Sequence, residues 1–266
     1  MRFKRATLFI LATSFWAPSA YAGHICTLIA DPVKNVILTE KGKCDDRVTP
    51  ASTFKLALAI MAFDHGILKD PHTPKWAFKQ GYAAWGGKNW QRETDPTDWL
   101  TYSVVWYSQL IAKEMGAEKL TNYAHDFRYG NGDFSGDPGK NNGLERAWIA
   151  SSLAISPREQ LQFIARYINR NLPVSEAAYA HSRAAMPTQM VNGWQVFGKT
   201  GMAYPRLKNG ALDRAHPYGW YVGWAEKGNQ RRIFVRLRQD DQKMEGSAST
   251  RAKSGVMTDL IPYLPD

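Results

Sequence analysis

The chain has 266 residues, enough to bury a substantial core in one or two domains. Its formal net charge is +10, but the basic residues are scattered, and the densest run, 231–238, alternates with apolar residues as the solvated face of a strand does, which argues against nucleic-acid binding. None of its six histidines has zinc spacing, and neither a Walker loop nor a dinucleotide glycine fingerprint occurs, so the sequence supports no metal, nucleotide or nicotinamide chemistry.

Residues 1–22 read as a secretory signal peptide. Arg2, Lys4 and Arg5 form a basic start, 6–17 is apolar and too short to span a bilayer, and Ala20-Tyr21-Ala22 is a small-x-small cleavage site. The mature chain is then 23–266, periplasmic and free of the membrane. Segments 24–30 and 35–39 read as short strands joined by an Asp31-Pro32 turn. Cys26 and Cys44 both fall in the exported part; the alternatives are a disulfide or two buried thiols, and the disulfide is the expectation. Segment 53–63 is a dense apolar run, read as a buried helix that begins just after Pro50. Segment 98–115 has helical periodicity and stops at Gly116, and 118–127 is a further helix. Segment 131–143, rich in Gly, Asn and Asp, is a loop. Ser156 as N-cap, Pro157 at the first position and Glu159 at the third start a helix that runs to about 171. Segment 176–186 is helical, and the pattern then changes. Segments 194–202, 219–225 and 232–238 are strand-like, separated by tight turns such as Glu226-Lys227-Gly228-Asn229, and 250–263 is a last helix. Strands thus come from both ends of the chain. The economical fold class is α+β: one antiparallel sheet built from the two termini and flanked by helices, with an all-helical lobe inserted at roughly 68–190 of a single catalytic domain. A cleft between two such lobes suits a small molecule.

Ser52-Thr53-Phe54-Lys55 carries the strongest chemical signal. On a helix, i and i+3 share a face, so Lys55 stands one turn from Ser52 at the helix start, where the dipole favours negative charge. A serine hydroxyl needs a nearby base, and a charged lysine is none; burial lowers the lysine pKa. Phe54, Leu56 and Phe63, with Val104 and Val105, are the apolar residues available for that. Lys199-Thr200-Gly201 ends a strand with a cation, a hydroxyl and a bare backbone, which suits a carboxylate-bearing substrate laid along it. Strict alternation puts Lys199 and Thr200 on opposite faces, so both reach a cleft only on a twisted edge strand. Ser103-Val104-Val105 and Tyr129-Gly130-Asn131 are weaker motifs between these two.

In this order, S-T-F-K, S-V-V, Y-G-N and K-T-G resemble the class D (oxacillinase-type) β-lactamases among the penicillin-recognising serine enzymes, over essentially the whole mature chain. S-V-V in place of S-D-N departs from class A. The resemblance implies a β-lactamase/transpeptidase-like fold and hydrolysis of β-lactams through an acyl-enzyme on Ser52. It implies that Lys55 adds carbon dioxide, supplied by bicarbonate, to become N-carboxylated and serve as general base. Trp148 supports that carbamate, with Val105 beside it. Ser103 passes a proton to the leaving nitrogen, Lys199, Thr200, Gly201 and Met202 line the substrate, and Arg251 holds its carboxylate. The backbone N–H groups of Ser52 and Met202 form the oxyanion hole. No metal or other cofactor is implied, and the partners are small β-lactams, with the protein a monomer or homodimer. Two rivals share the acylation machinery: a penicillin-binding D,D-peptidase, and a β-lactam sensor domain that acylates without turning over.

Overall fold

The computed structural model describes residues 23–265, so the expected signal peptide lies outside the described residues. Two strands open the chain, β1 (His24–Asp31) and β2 (Val36–Gly42), and four come late: β3 (Thr188–Val191), β4 (Trp194–Ala203), β5 (Tyr218–Lys227) and β6 (Gln230–Gln239). They form one antiparallel sheet in the order β2-β1-β6-β5-β4-β3, with Leu28 opposite Val235 where the N-terminal strand joins the C-terminal ones. Between them run α1 (Phe54–Asp64), α2 (Pro96–Tyr102), α3 (Val105–Met115), α4 (Ala117–Asp126), α5 (Gly143–Arg146), α6 (Pro157–Ile168) and α7 (Glu176–Ala185); α8 (Ala248–Leu260) closes the chain.

The two-residue period of the strands explains why both faces of the sheet are covered. Trp220, Val222 and Trp224 of β5 and Ile233, Val235 and Leu237 of β6 face the main core with α1 and α6. The residues between them, Tyr221, Ala225 and Phe234, pack on Ala252, Val256 and Leu260 of α8. Helix α1 is buried along its whole length up to Phe63, which places it at the centre of the molecule rather than on its surface. The start of α6 is a complete capping box: the Ser156 hydroxyl accepts the Glu159 N–H, and the Glu159 carboxylate accepts the Ser156 N–H.

Three local features depart from the sequence reading. The helix expected over 98–115 is two helices, broken at Ser103, which has φ +60. Strand β3 and helix α5 carry too few residues to show a period. The first turn of the 53–63 helix is a 3₁₀ turn, Ala51–Thr53, so Ser52 leads α1 rather than belonging to it.

Cys26 and Cys44 are joined as a disulfide across 18 residues, tying the end of β2 to β1. Closing a loop of that length contributes about 3 kcal/mol, chiefly by restricting the unfolded chain. Replacing both cysteines by alanine is therefore expected to lower the unfolding free energy by about that amount, read from urea titrations of the two proteins under non-reducing conditions.

Candidate active site

A cleft of about 250 Å³ opens where the 3₁₀ turn, the α2–α3 junction and β4 meet. Its lining includes Ser52, Ser103, Val105, Thr200, Gly201 and Met202, all expected from the sequence. Each arrives by a different local device. Ser52 is presented by the 3₁₀ turn, which closes through Thr53 N–H to the Pro50 carbonyl at 3.2 Å. Ser103 sits at the left-handed junction of α2 and α3, so its side chain leaves the line of either helix. Gly201 lets the strand lie against the nucleophile's turn: a Cβ there would stand 3.0 Å from the Pro50 carbonyl oxygen.

Two lysines lie behind the serines. Lys55 Nζ is 3.1 Å from Ser52 Oγ, and the residue is 0 % exposed. Burial, and after it the Lys199 cation, hold its amine well below the ordinary lysine range. Lys199, 2 % exposed, donates to Ser103 Oγ at 3.1 Å and to the Thr200 carbonyl at 3.2 Å; burial lowers its pKa to about 7. The cleft thus holds two serine–amine pairs, Ser52 with Lys55 and Ser103 with Lys199, and both amines have pKa values lowered by burial.

The alternation problem on β4 has a simple answer. Pairing with β3 ends at Phe197, so from Gly198 onward β4 is an edge. Lys199 points to the helical side with Phe197, while Thr200 lines the cleft along the free edge. Gly198 gives its N–H to Pro187 on the β3 side. Two residues and four residues on, the N–H groups of Thr200 and Met202 face the same side, now open. That direction suits Met202 N–H for an oxyanion hole beside Ser52.

Trp148 is fully buried in the turn after α5, 5.4 Å from the Phe54 ring between centroids. Its indole N–H is buried with no hydrogen-bond partner among the described residues. Trp224, in β5, carries a second buried indole N–H of the same kind. Val105 is buried at the start of α3 and lines the cleft.

Arg251 is placed otherwise than expected. Its guanidinium is bonded twice to Asp240 and once to the Glu245 carbonyl, and it does not belong to the cleft lining. The partner carboxylate lies in the loop before α8, where no sequence period reveals it. Ser249, in the first turn of α8, lines the cleft instead, and Trp85 and Trp90 wall its mouth. A serine in a helix's first turn and a tryptophan among ten give no sequence signal for either role. The Y-G-N motif is structural: Gly130 has φ +60, a Cβ there would stand 2.1 Å from the Ala154 carbonyl oxygen, and Asn131 bonds the backbone at Ser152 and Ala154.

Comparison with known proteins agrees with this geometry. Residues 20–259 match the penicillin binding protein transpeptidase domain family. The chain is 43% identical over 236 residues to β-lactamase OXA-9 of Klebsiella pneumoniae, covering 88% of this chain and 86% of that one. It is 37% identical over 239 residues to β-lactamase OXA-1 of Escherichia coli, covering 88% and 83%. The crystal structure of the class D β-lactamase OXA-427 superposes with a TM-score of 0.84 at 42% identity, over 91% of this chain and 98% of that one.

The depressed Lys199 pKa gives a pH signature. In the unfolded chain a lysine holds its proton to about pH 10.4, whereas the folded protein releases it near 7. Between those values the unfolded state binds more protons, so the destabilisation from burying this amine is full below about pH 7 and relieved as pH rises. Lys199→Met should therefore be stable relative to the parent at pH 6 and lose that relative advantage by pH 10, by several degrees in Tm. A difference in Tm that does not move with pH would show a lysine that stays charged.

Proposed function

We propose the following chemistry for this chain, which belongs to the penicillin-binding transpeptidase family and, within it, to the class D β-lactamases: it hydrolyses β-lactams through an acyl-enzyme on Ser52. The observation that carries the reading is the Lys55 amine, fully buried 3.1 Å from the nucleophile, where burial holds its pKa well below the ordinary lysine range.

A neutral amine attacks carbon dioxide at carbon, forms an N–C bond and loses one proton, leaving a carbamate. A charged ammonium, with no lone pair, cannot. The apolar cluster around Phe54, the neighbour of Lys55 in α1, suits that product, and the buried indole of Trp148, 5.4 Å from the Phe54 ring, is the donor we assign to it. When carboxylated, Lys55 supplies a carboxylate-like base at Ser52. Ser52 Oγ then attacks the lactam carbonyl, and the N–H groups of Ser52 and Met202 receive the oxyanion. Ser103, which accepts from Lys199, delivers its own proton to the leaving lactam nitrogen. The base passes the proton it took from Ser52 on to Ser103, which restores both groups; it then takes a proton from water, which attacks the ester carbonyl, and returns that proton to Ser52 Oγ as the C–O bond breaks.

Thr200 on β4 and Ser249 on α8, with the Lys199 charge behind Ser103, receive the substrate carboxylate. Arg251, through Asp240 and Glu245, braces the loop that leads into α8, whose first turn carries Ser249. Deacylation by a lysine-borne base separates this enzyme from a D,D-peptidase or a sensor, which share only the acylation step. We further propose export to the periplasm. The basic-apolar-small pattern of residues 1–22 and the Cys26–Cys44 disulfide both fit an oxidising compartment, and among the described residues no helix is long and apolar enough to cross a membrane.

The protein is expected to turn over nitrocefin repeatedly, faster with added bicarbonate. Lys55→Ala should lose about 10²–10⁴-fold in kcat and trap acylated Ser52, visible as a mass increment on the intact protein. A single stoichiometric burst from the parent protein at saturating bicarbonate would refute the hydrolase.

A further inference from the structure

The segment leading into the nucleophile buries one more polar side chain. Thr49, three residues before Ser52, is 8 % exposed. Its hydroxyl donates to the Trp148 carbonyl at 2.9 Å and accepts the Ala150 N–H at 3.1 Å. Its own carbonyl accepts the Trp220 indole N–H at 3.0 Å, from the centre of β5. One residue therefore joins three parts of the molecule: the lead-in to Ser52, the turn that carries Trp148, and the sheet.

The Trp148 turn needs such support. Helix α5 ends at Arg146, and residues 147–150 follow as turn. Ala150 has φ +54, the left-handed region that residues with a side chain seldom adopt. A turn in this conformation does not pair its own groups at 148 and 150. The Thr49 hydroxyl takes both, one as donor and one as acceptor, as a neighbouring strand would. From the far side, Arg206 donates to the Ala150 carbonyl at 2.7 Å, so the turn is gripped on two sides.

We propose that Thr49 is a positioning residue for the base: by fixing the backbone on either side of residue 149 it aims the Trp148 indole N–H at the carboxylated Lys55. This rests on the reading of Lys55 and Trp148 given above. Thr49 touches no reacting atom, and its hydroxyl acts only through Trp148. Losing it should loosen the hydrogen bond that holds the carbamate, so that carbon dioxide leaves Lys55 more readily. Acylation by the neutral amine would change less than deacylation.

The test uses the full mature enzyme and nitrocefin. The readouts are the bicarbonate concentration giving half-maximal turnover and the carbamate carbon signal after loading with ¹³C-bicarbonate. Thr49→Val keeps the shape and removes both hydrogen bonds; Thr49→Ser keeps them; Trp148→Phe is the reference. Thr49→Val is expected to need about tenfold more bicarbonate, the loss typical of groups that orient a reactive one, and to slow after an initial burst when bicarbonate is scarce. Thr49→Ser should stay within about twofold of the parent, since the hydroxyl is what acts. If the valine variant does not fold, Thr49→Ala is read in its place. An unchanged requirement in Thr49→Val beside a raised one in Trp148→Phe overturns the role of Thr49 and leaves that of Trp148 standing. Equal losses in Thr49→Val and Thr49→Ser overturn it too. An unchanged requirement in Trp148→Phe, with no carbamate signal in the parent, overturns the underlying reading, and this inference with it.

Discussion

The molecule is organised around a primary amine that is fully buried in its core. Lys55 lies inside α1, a helix whose other residues from Phe54 to Phe63 are apolar and buried. Among the described residues its hydrogen-bond partner is the Ser52 hydroxyl. An isolated ammonium in such surroundings is costly, so burial holds the amine pKa well below the ordinary lysine range. Lys199, buried across the cleft, adds a second cation that pushes the same way. The proposed chemistry begins from that nitrogen. The aromatic packing around Phe54, with Tyr129, Phe134 and Trp148 each within 6 Å between ring centroids, is what keeps it dry.

Around this amine, the regular elements supply walls and their interruptions supply function. Ser52 stands on a 3₁₀ turn before α1, Ser103 at a left-handed break between α2 and α3, and Trp148 in the turn after α5. The substrate edge of β4 begins where β3 stops. Each interruption frees a side chain or a backbone donor that a continuous helix or ladder would have used. The local strain, such as the positive φ of Ser103 and Ala150, is held by long-range contacts: Lys199 to Ser103, Thr49 to Ala150.

That division also decides what could be read from the sequence. Strong periodic signals are legible: the strands at both ends, the buried helix after Pro50, and the Ser156-Pro157-Arg158-Glu159 start of α6. The Ser52–Lys55 relation is legible because it depends on one helical turn. The break at Ser103 is not, because Tyr102-Ser103-Val104 contains neither Gly nor Pro, and the left-handed turn is imposed by packing. Lys199 and Thr200 looked incompatible because the length of β3, not the sequence of β4, decides where the edge begins. The surroundings of Arg251 are illegible for a similar reason. Its charge is legible, but its partner Asp240 is fixed only once the loop before α8 has folded. Thr49 is the extreme case: nothing local marks it, and both groups its hydroxyl bonds lie about a hundred residues away.

Acylation and hydrolysis place different demands on the same nitrogen. A neutral amine beside Ser52 can take the serine proton once, but the resulting ammonium is then trapped in a dry site with Lys199 close by. It has no means of activating water while it keeps that proton. A base carried further out on the same side chain, and steadied by a donor, escapes this, because a carboxylate-like group can bind and release protons without leaving a bare cation in the core. The unpaired indole of Trp148 is such a donor, and its place depends on a turn held by Thr49 and Arg206. On this reasoning Ser52 and Lys55 suffice to form an acyl-enzyme, and the polar contacts behind Trp148 determine whether the enzyme can release it.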